Sequence, residues 1–304
     1  MRVTNNMMTD SLVRYLTTQN EALYERQTTI ASQKRINKPS DDPIGTGKVM
    51  DYRQTLASIE QYQTNIQTGK TRLEVTEVDL DLVDDLLQVV RGIAQDETSQ
   101  TAESRQLAAE GIKDIFDQVL DLANSDLNGN YLFSGYQTKT APFSRDDTLA
   151  TTFEQYTVTY NGDDGDARFI VAHNTEISID ADGRPLFHDA AAGGISVFDA
   201  MRDLIVALEN DNAAAIATQA DLVDEARDQI NTIRANNSPI LYQMETTENY
   251  WQNYKPKIQE LLGRQEEADI TQAVVELQQI ELAYETTLAT AARVIQPGLV
   301  NFLQ

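Results

Sequence analysis

The chain has 304 residues, 41% of them hydrophobic, and its 48 acidic against 24 basic side chains give a formal net charge of −24. That apolar content can bury two or three compact regions, whereas the acidity argues against a nucleic acid or an anionic membrane surface as partner, since both require clustered Lys and Arg. The absence of cysteine excludes disulfides, thiolate nucleophiles and Cys-based zinc sites.

The charge is unevenly placed. Residues 1–70 sum to +2, whereas 71–130, 131–190 and 191–304 sum to −10, −6 and −10. A weakly basic arm on an acidic body biases association between copies without creating it, because screening leaves each surface pair worth little. Near the start, Val3, Met7, Met8, Leu12, Val13 and Leu16 are interrupted by polar residues, so no apolar core of a cleavable signal forms. No stretch reaches the roughly 18 apolar residues of a membrane span. The sequence therefore predicts either a cytosolic chain or one exported by a route that leaves its amino terminus intact. Freedom from cysteine suits passage through a secretion channel in the unfolded state.

Along the first 35 residues, Met8, Leu12, Leu16, Leu23 and Ile30 recur at spacings of four and seven and form one stripe of a helix. So narrow a stripe needs a partner helix. Ile36-Asn37-Lys38-Pro39-Ser40-Asp41-Asp42-Pro43 reads as a turn, with Asp42 as N-cap and Pro43 as first residue of a new helix. From there Ile59, Ile66, Leu73, Leu80, Leu87 and Ala94 fall every seventh residue, accompanied by Tyr52, Leu56, Tyr62, Val83 and Val90. A helix over about 44–98 would be roughly 80 Å long, the length of a coiled-coil rod, with Gly69 as a weak point.

A third helix is predicted over about 103–127, with Leu107, Ile112, Ile115, Val119, Leu122 and Ala123 inward, ending at Asn128-Gly129-Asn130. Short β-like runs come next, at 131–135, 157–160, 168–171 and 176–179. Helical pattern resumes at Val197, Met201, Leu204, Ile205 and Leu208 and runs through Ile233; Pro239, Pro256 and Gly263 should kink or divide the helical stretch beyond it. The last helix carries Ile270, Ala273, Val274, Leu277, Ile280, Tyr284, Leu288, Ala291 and Ile295, with Asp269 and Gln272 placed as a capping box. Pro297-Gly298 should stop it near Gln296 and leave Leu299, Phe302 and Leu303 as a separate anchor.

The predicted fold is mainly α, a long antiparallel helical bundle or coiled-coil rod from both termini with a small inserted β-rich domain. Its segments are 1–43 (amino-terminal segment and turn), 44–134 (long helices), 135–192 (β-rich insert), 193–263 (returning helices) and 264–304 (closing helix and tail). Two ends with matching apolar stripes are expected to pair. The residues alone allow either a closed bundle within one chain or packing between chains.

Ser32-Gln33-Lys34-Arg35-Ile36-Asn37-Lys38-Pro39-Ser40-Asp41-Asp42-Pro43 resembles the turn of the flagellin-like axial proteins of bacterial flagella, and the Pro after the two aspartates is more like the members at the hook-to-filament junction than filament flagellin. Asn128-Gly129-Asn130-Tyr131-Leu132-Phe133-Ser134-Gly135, Thr140-Ala141-Pro142-Phe143, Tyr160-Asn161-Gly162-Asp163 and Gly183-Arg184-Pro185-Leu186-Phe187 are similar to those members as well. The resemblance implies a secreted, non-enzymatic subunit, exported by the flagellar type III apparatus without signal cleavage. It would be a monomer in solution and a homo-oligomer in the extracellular flagellum, between the hook-side hook-associated protein and flagellin. An export chaperone would hold the carboxy-terminal helix, and the insert would point outward. Met8, Leu12, Leu16, Leu23, Ile30, Tyr284, Leu288, Ile295, Leu299 and Phe302 are then the candidate assembly interface. Filament flagellin, or a secreted acidic coiled-coil adhesin or effector, is the alternative.

Arg35 with Asp41 and Asp42 forms either a charge-assisted brace across the turn, supported by Asn37, or leaves Asp42 as a cap and Asp41 solvated. Asn161-Gly162-Asp163-Asp164-Gly165-Asp166 could offer carboxylates to calcium but lacks the distal Glu of an EF-hand, and Asn-Gly between β runs reads as a hairpin turn. His173 and His188, the two histidines, read as surface residues in preference to a metal or acid-base pair. Ser134 is outside any nucleophile elbow, and no phosphate-binding Gly loop is present. No catalytic residue, cofactor or metal site is expected.

Overall fold

A computed structural model of the chain describes residues 5–146, 152–179, 182–188 and 194–300, with side chains from Met7 to Ala292 within those spans. In chain order the described elements are α1 (Asn5–Ser32), α2 (Pro43–Glu97), α3 (Ala102–Ala123), β1 (Asp126–Leu127), β2 (Asn130–Tyr131), β3 (Phe143–Asp146), β4 (Thr157–Tyr160), β5 (Ala167–Ala172), β6 (Thr175–Ile179), the single turn α4 (Arg184–Phe187), α5 (Val197–Glu209), α6 (Ala213–Glu266) and α7 (Ile270–Val300). The chain divides into two compact units, Met1–Ser58 with Asn253–Gln304, and Ile59–Gln252.

The seven-residue repeat of α2 is the spine of the second unit. Ile59, Ile66, Leu73, Leu80, Leu87 and Ala94 are each at most 2% exposed, and Val83 and Val90 fill the intervening positions. A strict repeat of seven keeps one stripe turned inward along the whole helix. From Leu80 onward it packs into a core with Ile112, Phe116 and Val119 of α3, Leu204 and Leu208 of α5, and Ile216, Val223 and Ile230 of α6. Polar pairs set the direction: Lys70 meets Glu248, Arg234 meets Glu77 and Asp81, and Arg227 meets Asp84. Partner numbers fall on α6 as they rise on α2, so the two helices are antiparallel.

The turn from α2 into α3 is closed by Arg105, which is buried. Its guanidinium donates to the Glu97 and Thr98 carbonyls at 2.8 and 3.0 Å and pairs with Asp211. A cation on the last free carbonyls of a helix satisfies groups that have no partner within it. Arg105 thereby ties α2, α3 and the loop before α6 at one point.

The helix does not break at Gly69. This residue is buried within continuous helix, and a Cβ there would lie 2.7 Å from Met244 Cε and 3.3 Å from Phe169. The missing side chain leaves room on α2 for the Met244 side chain of α6 and the Phe169 ring of β5.

Three two-stranded antiparallel sheets pair β1 with β2, β3 with β4 and β5 with β6. α3 ends at Ala123, earlier than expected, and Asn128-Gly129 forms the β1–β2 hairpin turn with φ of 57° and 73°, the conformation a two-residue hairpin requires. The hairpin expected across Asn161-Gly162 is not formed. β4 turns back to β3, with Phe143 opposite Tyr160, and β5 pairs onward to β6 through His173-Asn174, where Asn174 has φ 62°. The Asn161-Gly162 backbone is instead bound to the 134–142 stretch: Asn161 N donates to Pro142 O at 2.7 Å, and Asp163 Oδ1 accepts from Tyr136 N and Gly165 N at 2.7 and 3.0 Å.

The motif segments around 133, 160 and 183 therefore meet in space. Tyr160 Oη donates to Phe133 O or Asp163 O, both at 3.0 Å, and Gly183 N donates to Phe133 O at 3.0 Å. Burial, with the Asp182 carboxylate beside it, pushes the Tyr160 phenol far up. Ser134 is fully buried at this junction, which gives it a packing role. Phe143 lies within 5.5 Å, centroid to centroid, of Phe187 and Phe198 in tilted and edge-on geometry, so β3 and α4 share the core of α3 and α5.

Two further expected helix breaks are not formed. α6 runs undivided through Pro239, Pro256 and Gly263, and α7 continues through Pro297-Gly298 to Val300. An interior proline removes one backbone bond at a cost of about 3 kcal/mol. In α6 that cost is met on both sides of Pro239, by the Arg234 pairs before it and buried Met244 after it. In α7 the Pro297-Gly298 pair lies in the last turn, so only two further residues of helix follow it.

Leu80 has no accessible surface, so Leu80→Ala is expected to cost about 2–5 kcal/mol. A chemical denaturation series monitored through Trp251, the single tryptophan, measures it; a loss below about 1 kcal/mol would mean that the heptad seam does not carry the second unit.

Candidate assembly interface

In the first unit α1 and α7 pack as an antiparallel pair. Arg26 Nε meets Glu276 at 3.1 Å, and the bridge Lys34↔Glu267 repeats the direction at the helix ends. The facing positions step by four and three: Leu12, Leu16, Gln19, Leu23, Arg26 and Ile30 on α1, and Ala273, Leu277, Ile280, Tyr284, Thr287 and Ala291 on α7. This is the spacing of a coiled-coil seam.

The seam is incompletely covered. Leu12, Leu16, Leu23, Ile30 and Tyr284 are half-buried, while Met8 and Leu288 are 48% and 44% exposed. Ile295 and Leu299 belong to the α7 backbone, but their side chains lie outside those described, and Phe302 lies outside the described residues. Among the described side chains of α1, only Gln19 is buried. Met7, Val13, Tyr15 and Tyr24 on α1, and Val275 and Leu282 on α7, remain largely in water. Heptad spacing that buries the α2 stripe almost completely thus buries no apolar side chain among those described on α1, because two helices cover only one side of each other.

The turn after α1 is held from several directions. Gln33 adopts φ 58°, the left-handed conformation that ends helices, and its carbonyl accepts from Ala268 N at 3.0 Å while Arg35 N donates to Glu266 O at 2.7 Å. Arg35 Nη2 reaches Asp42 Oδ2 at 3.2 Å and the Gln265 carbonyl at 3.0 Å. Asp42 also caps α2 by accepting from Gly45 N at 2.8 Å. Asp41 turns away from Arg35 and accepts from the backbone N–H groups of Asn37 and Lys38 at 3.0 and 2.8 Å, while Asn37 Nδ2 donates to Lys34 O at 2.8 Å. Asp269 Oδ1 caps α7 by accepting from Gln272 N, but the Gln272 amide points on to Glu276 in place of closing the box.

Glu266 is a hub that no local pattern announces. Buried itself, it pairs with Lys34 and, at 2.7 Å, with Arg53. Gln19 was legible in principle, since it completes the four-three spacing between Leu16 and Leu23. The calcium-loop carboxylate Asp163 already accepts the backbone N–H groups of Tyr136 and Gly165. His173 sits in the β5–β6 turn and His188 at the end of α4. No group of three His, Asp or Glu side chains among the described residues is placed to hold a metal ion, and no described helix is long and apolar enough to cross a membrane.

Backbone N–H bonds from Lys38 and Asn37 hold the Asp41 carboxyl below its ordinary value, and the Gly45 N–H does the same for Asp42. For Glu266, burial pushes upward but Lys34 and Arg53 outweigh it, and the net direction is down. Depressed carboxyls bind fewer protons folded than unfolded, so their contribution is complete at neutral pH and is lost as pH falls below about 4. Amide hydrogen exchange at Asn37, Lys38 and Gly45 should therefore accelerate between about pH 5 and pH 3 beyond the intrinsic rate change; unchanged protection would show that these carboxylates do not hold the turn.

Comparison with known proteins bears on this arrangement. Residues 3–138 match the bacterial flagellin N-terminal helical region. The chain is 30% identical over 149 residues to flagellar hook-associated protein 3 of Escherichia coli K12, covering 48% of this chain and 47% of that one. It is 24% identical over 265 residues to flagellin of Bacillus subtilis 168, covering 82% and 81%. The aligned part spans about half the length of the hook-associated relatives. The fold matches flagellar hook-associated protein 3 of Legionella pneumophila with a TM-score of 0.61 at 17% identity, over 71% of this chain and 98% of that one. A Vibrio parahaemolyticus structure attributed to a flagellar hook-associated protein gives 0.66 at 21% identity, over 75% and 100%. The 3–138 stretch is thus similar to the flagellin N-terminal helical region, part of the chain is similar in sequence to hook-associated protein 3, and the described fold is shared with solved flagellar hook-associated structures.

Proposed function

We propose that this chain is a structural, non-enzymatic subunit that forms the junction between hook and filament of the bacterial flagellum and polymerises through α1 and α7. The observation that carries the reading is the incompletely covered seam: a pair of heptad helices with half-buried leucines and exposed Met, Val and Tyr side chains gains most of its hydrophobic stabilisation from further helices. The hook-associated 3 relatives support the location. On this reading residues 1–43 and 264–304 are the assembly segments, 135–192 faces outward, and the neighbours are hook-side hook-associated protein, flagellin and other copies of the chain. Export leaves the amino terminus uncleaved, and a chaperone covers α7 until the chain leaves the cell. The longer alignment with Bacillus subtilis flagellin favours a second reading, a filament subunit.

Removing residues 1–30 is expected to leave the Ile59–Gln252 unit folded, with an unchanged Trp251-detected transition, in a soluble monomer that does not enter the flagellum. Global unfolding of that truncation would remove the case for α1 as an assembly segment. A strain lacking the gene is expected to carry intact hooks, no filaments, and flagellin monomers in the medium. Normal filaments would refute the junction role, whereas a strain without filaments and without released flagellin would favour the filament subunit.

A further inference from the structure

The apolar seam between α2 and α6 is interrupted at one level. Ile66, Leu73 and Met244 belong, with Ile240, to one cluster, whereas Leu80, Val83 and Ile230 belong, with Ile233, to another. Gly69 lies against Met244, and one heptad further along these antiparallel helices Thr76 falls level with Asn237. Both are buried, at 6% and 7% exposed. They occupy the seam between Leu73 and Leu80 on α2 and between Ile233 and Ile240 on α6. A polar layer thus stands where the two clusters part.

The same level of α6 carries Pro239 on its exposed face. Proline offers no N–H to the carbonyl of Ala235, four residues before it, so α6 loses a backbone bond there. Sharp helix bends occur at such positions. On the inner side, the polar layer gives up apolar contact that a pair of leucines would make, at a cost in stability. The packing on either side absorbs each feature, but together they set the weakest backbone of α6 beside the weakest stretch of its seam. Ion pairs lie to both sides, Lys70 with Glu248 towards the β5–β6 hairpin and Arg234 with Glu77 and Asp81 towards α3. Arg72 crosses the level by donating to Leu132 O at 2.6 Å, and a bond of that kind allows rotation about it. We propose that the α2 and α6 rod hinges at Thr76 and Asn237, so that the half bearing the β5–β6 hairpin swings against the half bearing α3 and α5. A rod that bends at one level can seat its two halves against unlike neighbours. That use rests on the junction role proposed above, whereas the hinge does not.

Because the chain has no cysteine, introduced pairs can carry spin labels in the full-length protein. Gln61 and Gln88, both exposed on α2, span the level, whereas Gln88 and the exposed Gln118 of α3 lie to one side of it. In double electron-electron resonance, Gln61→Cys with Gln88→Cys is expected to give a distance distribution about twice as wide as Gln88→Cys with Gln118→Cys. Two further backgrounds address the cause: Thr76→Val with Asn237→Leu makes the seam apolar throughout, and Pro239→Ala restores the backbone bond. Each is expected to narrow the first distribution towards the second, and narrowing in either supports the hinge. Equal widths without these substitutions would overturn it, as would a first distribution that neither background narrows. The Trp251-detected transition shows whether the seam variant keeps its fold, and Pro239→Ala decides the matter if it does not. Normal filaments on the deletion strain would remove the junction role and leave these distances as they are, so the two readings fail separately.

Discussion

Three residues of backbone pairing, Gln33–Arg35 against Glu266–Ala268, close this chain on itself. Two hydrogen bonds and an antiparallel bridge join segments more than 200 residues apart, and the side chains around them all serve that joint. Arg35 reaches both Asp42 and the Gln265 carbonyl, and Glu266 gathers Lys34 and Arg53. The order of the ends is a consequence. With the ends of α1 and α6 fixed at this joint, α7 starts beside the end of α1 and runs back along it. The terminal pair therefore depends on a polar clasp, whereas apolar burial is what holds the second unit.

The same periodicity has two outcomes in one molecule. Along α2 the seventh-residue stripe is enclosed by α3, α5 and α6 and supplies a core. Along α1 a stripe of the same spacing meets one helix and stays half in water. The difference lies in the number of neighbours, since a helix needs more than one to bury a stripe and its flanks. One seam of the fold is thus closed and the other left open.

Much of this was written in the sequence, and the remainder escaped it for identifiable causes. Heptads are local and repeated, so Ile59 through Ala94 announced their burial, as did the Asp42 cap before Pro43. The prolines misled because their cost is fixed while the packing that opposes it depends on partners distant in sequence. Asn161-Gly162 misled because a turn dipeptide specifies a turn but not which strands flank it; β4 found its partner in β3, which carries Phe143 into the aromatic core. The inserted strands were visible as strands, but their sharing of a core with α3 and α5 depends on tertiary contacts. Glu266 could not be found by pattern, since Lys34 and Arg53 approach it from the far end of the chain. The open α1 stripe was visible as a need for partners, while the burial of Gln19 within it emerges only when α7 is in place.

The β5–β6 hairpin is anchored in a way that shapes what its outer face can become. Asn65 of α2 and Trp251 of α6 donate to the main-chain carbonyls of Ile170 and Val171 at 2.8 and 2.7 Å, and inward Val171, Ile177 and Ile179 complete the contact with Ile66, Leu73 and Met244. Arg168, Ile170, Glu176 and Ser178 point the other way, into solvent. Carbonyl oxygens are the same whatever residue bears them, and the period of two keeps the outward set independent of the inward one. The hairpin can therefore exchange its whole exposed face through substitution without loosening its hold on the helices, so that this surface can diverge on a scaffold that does not.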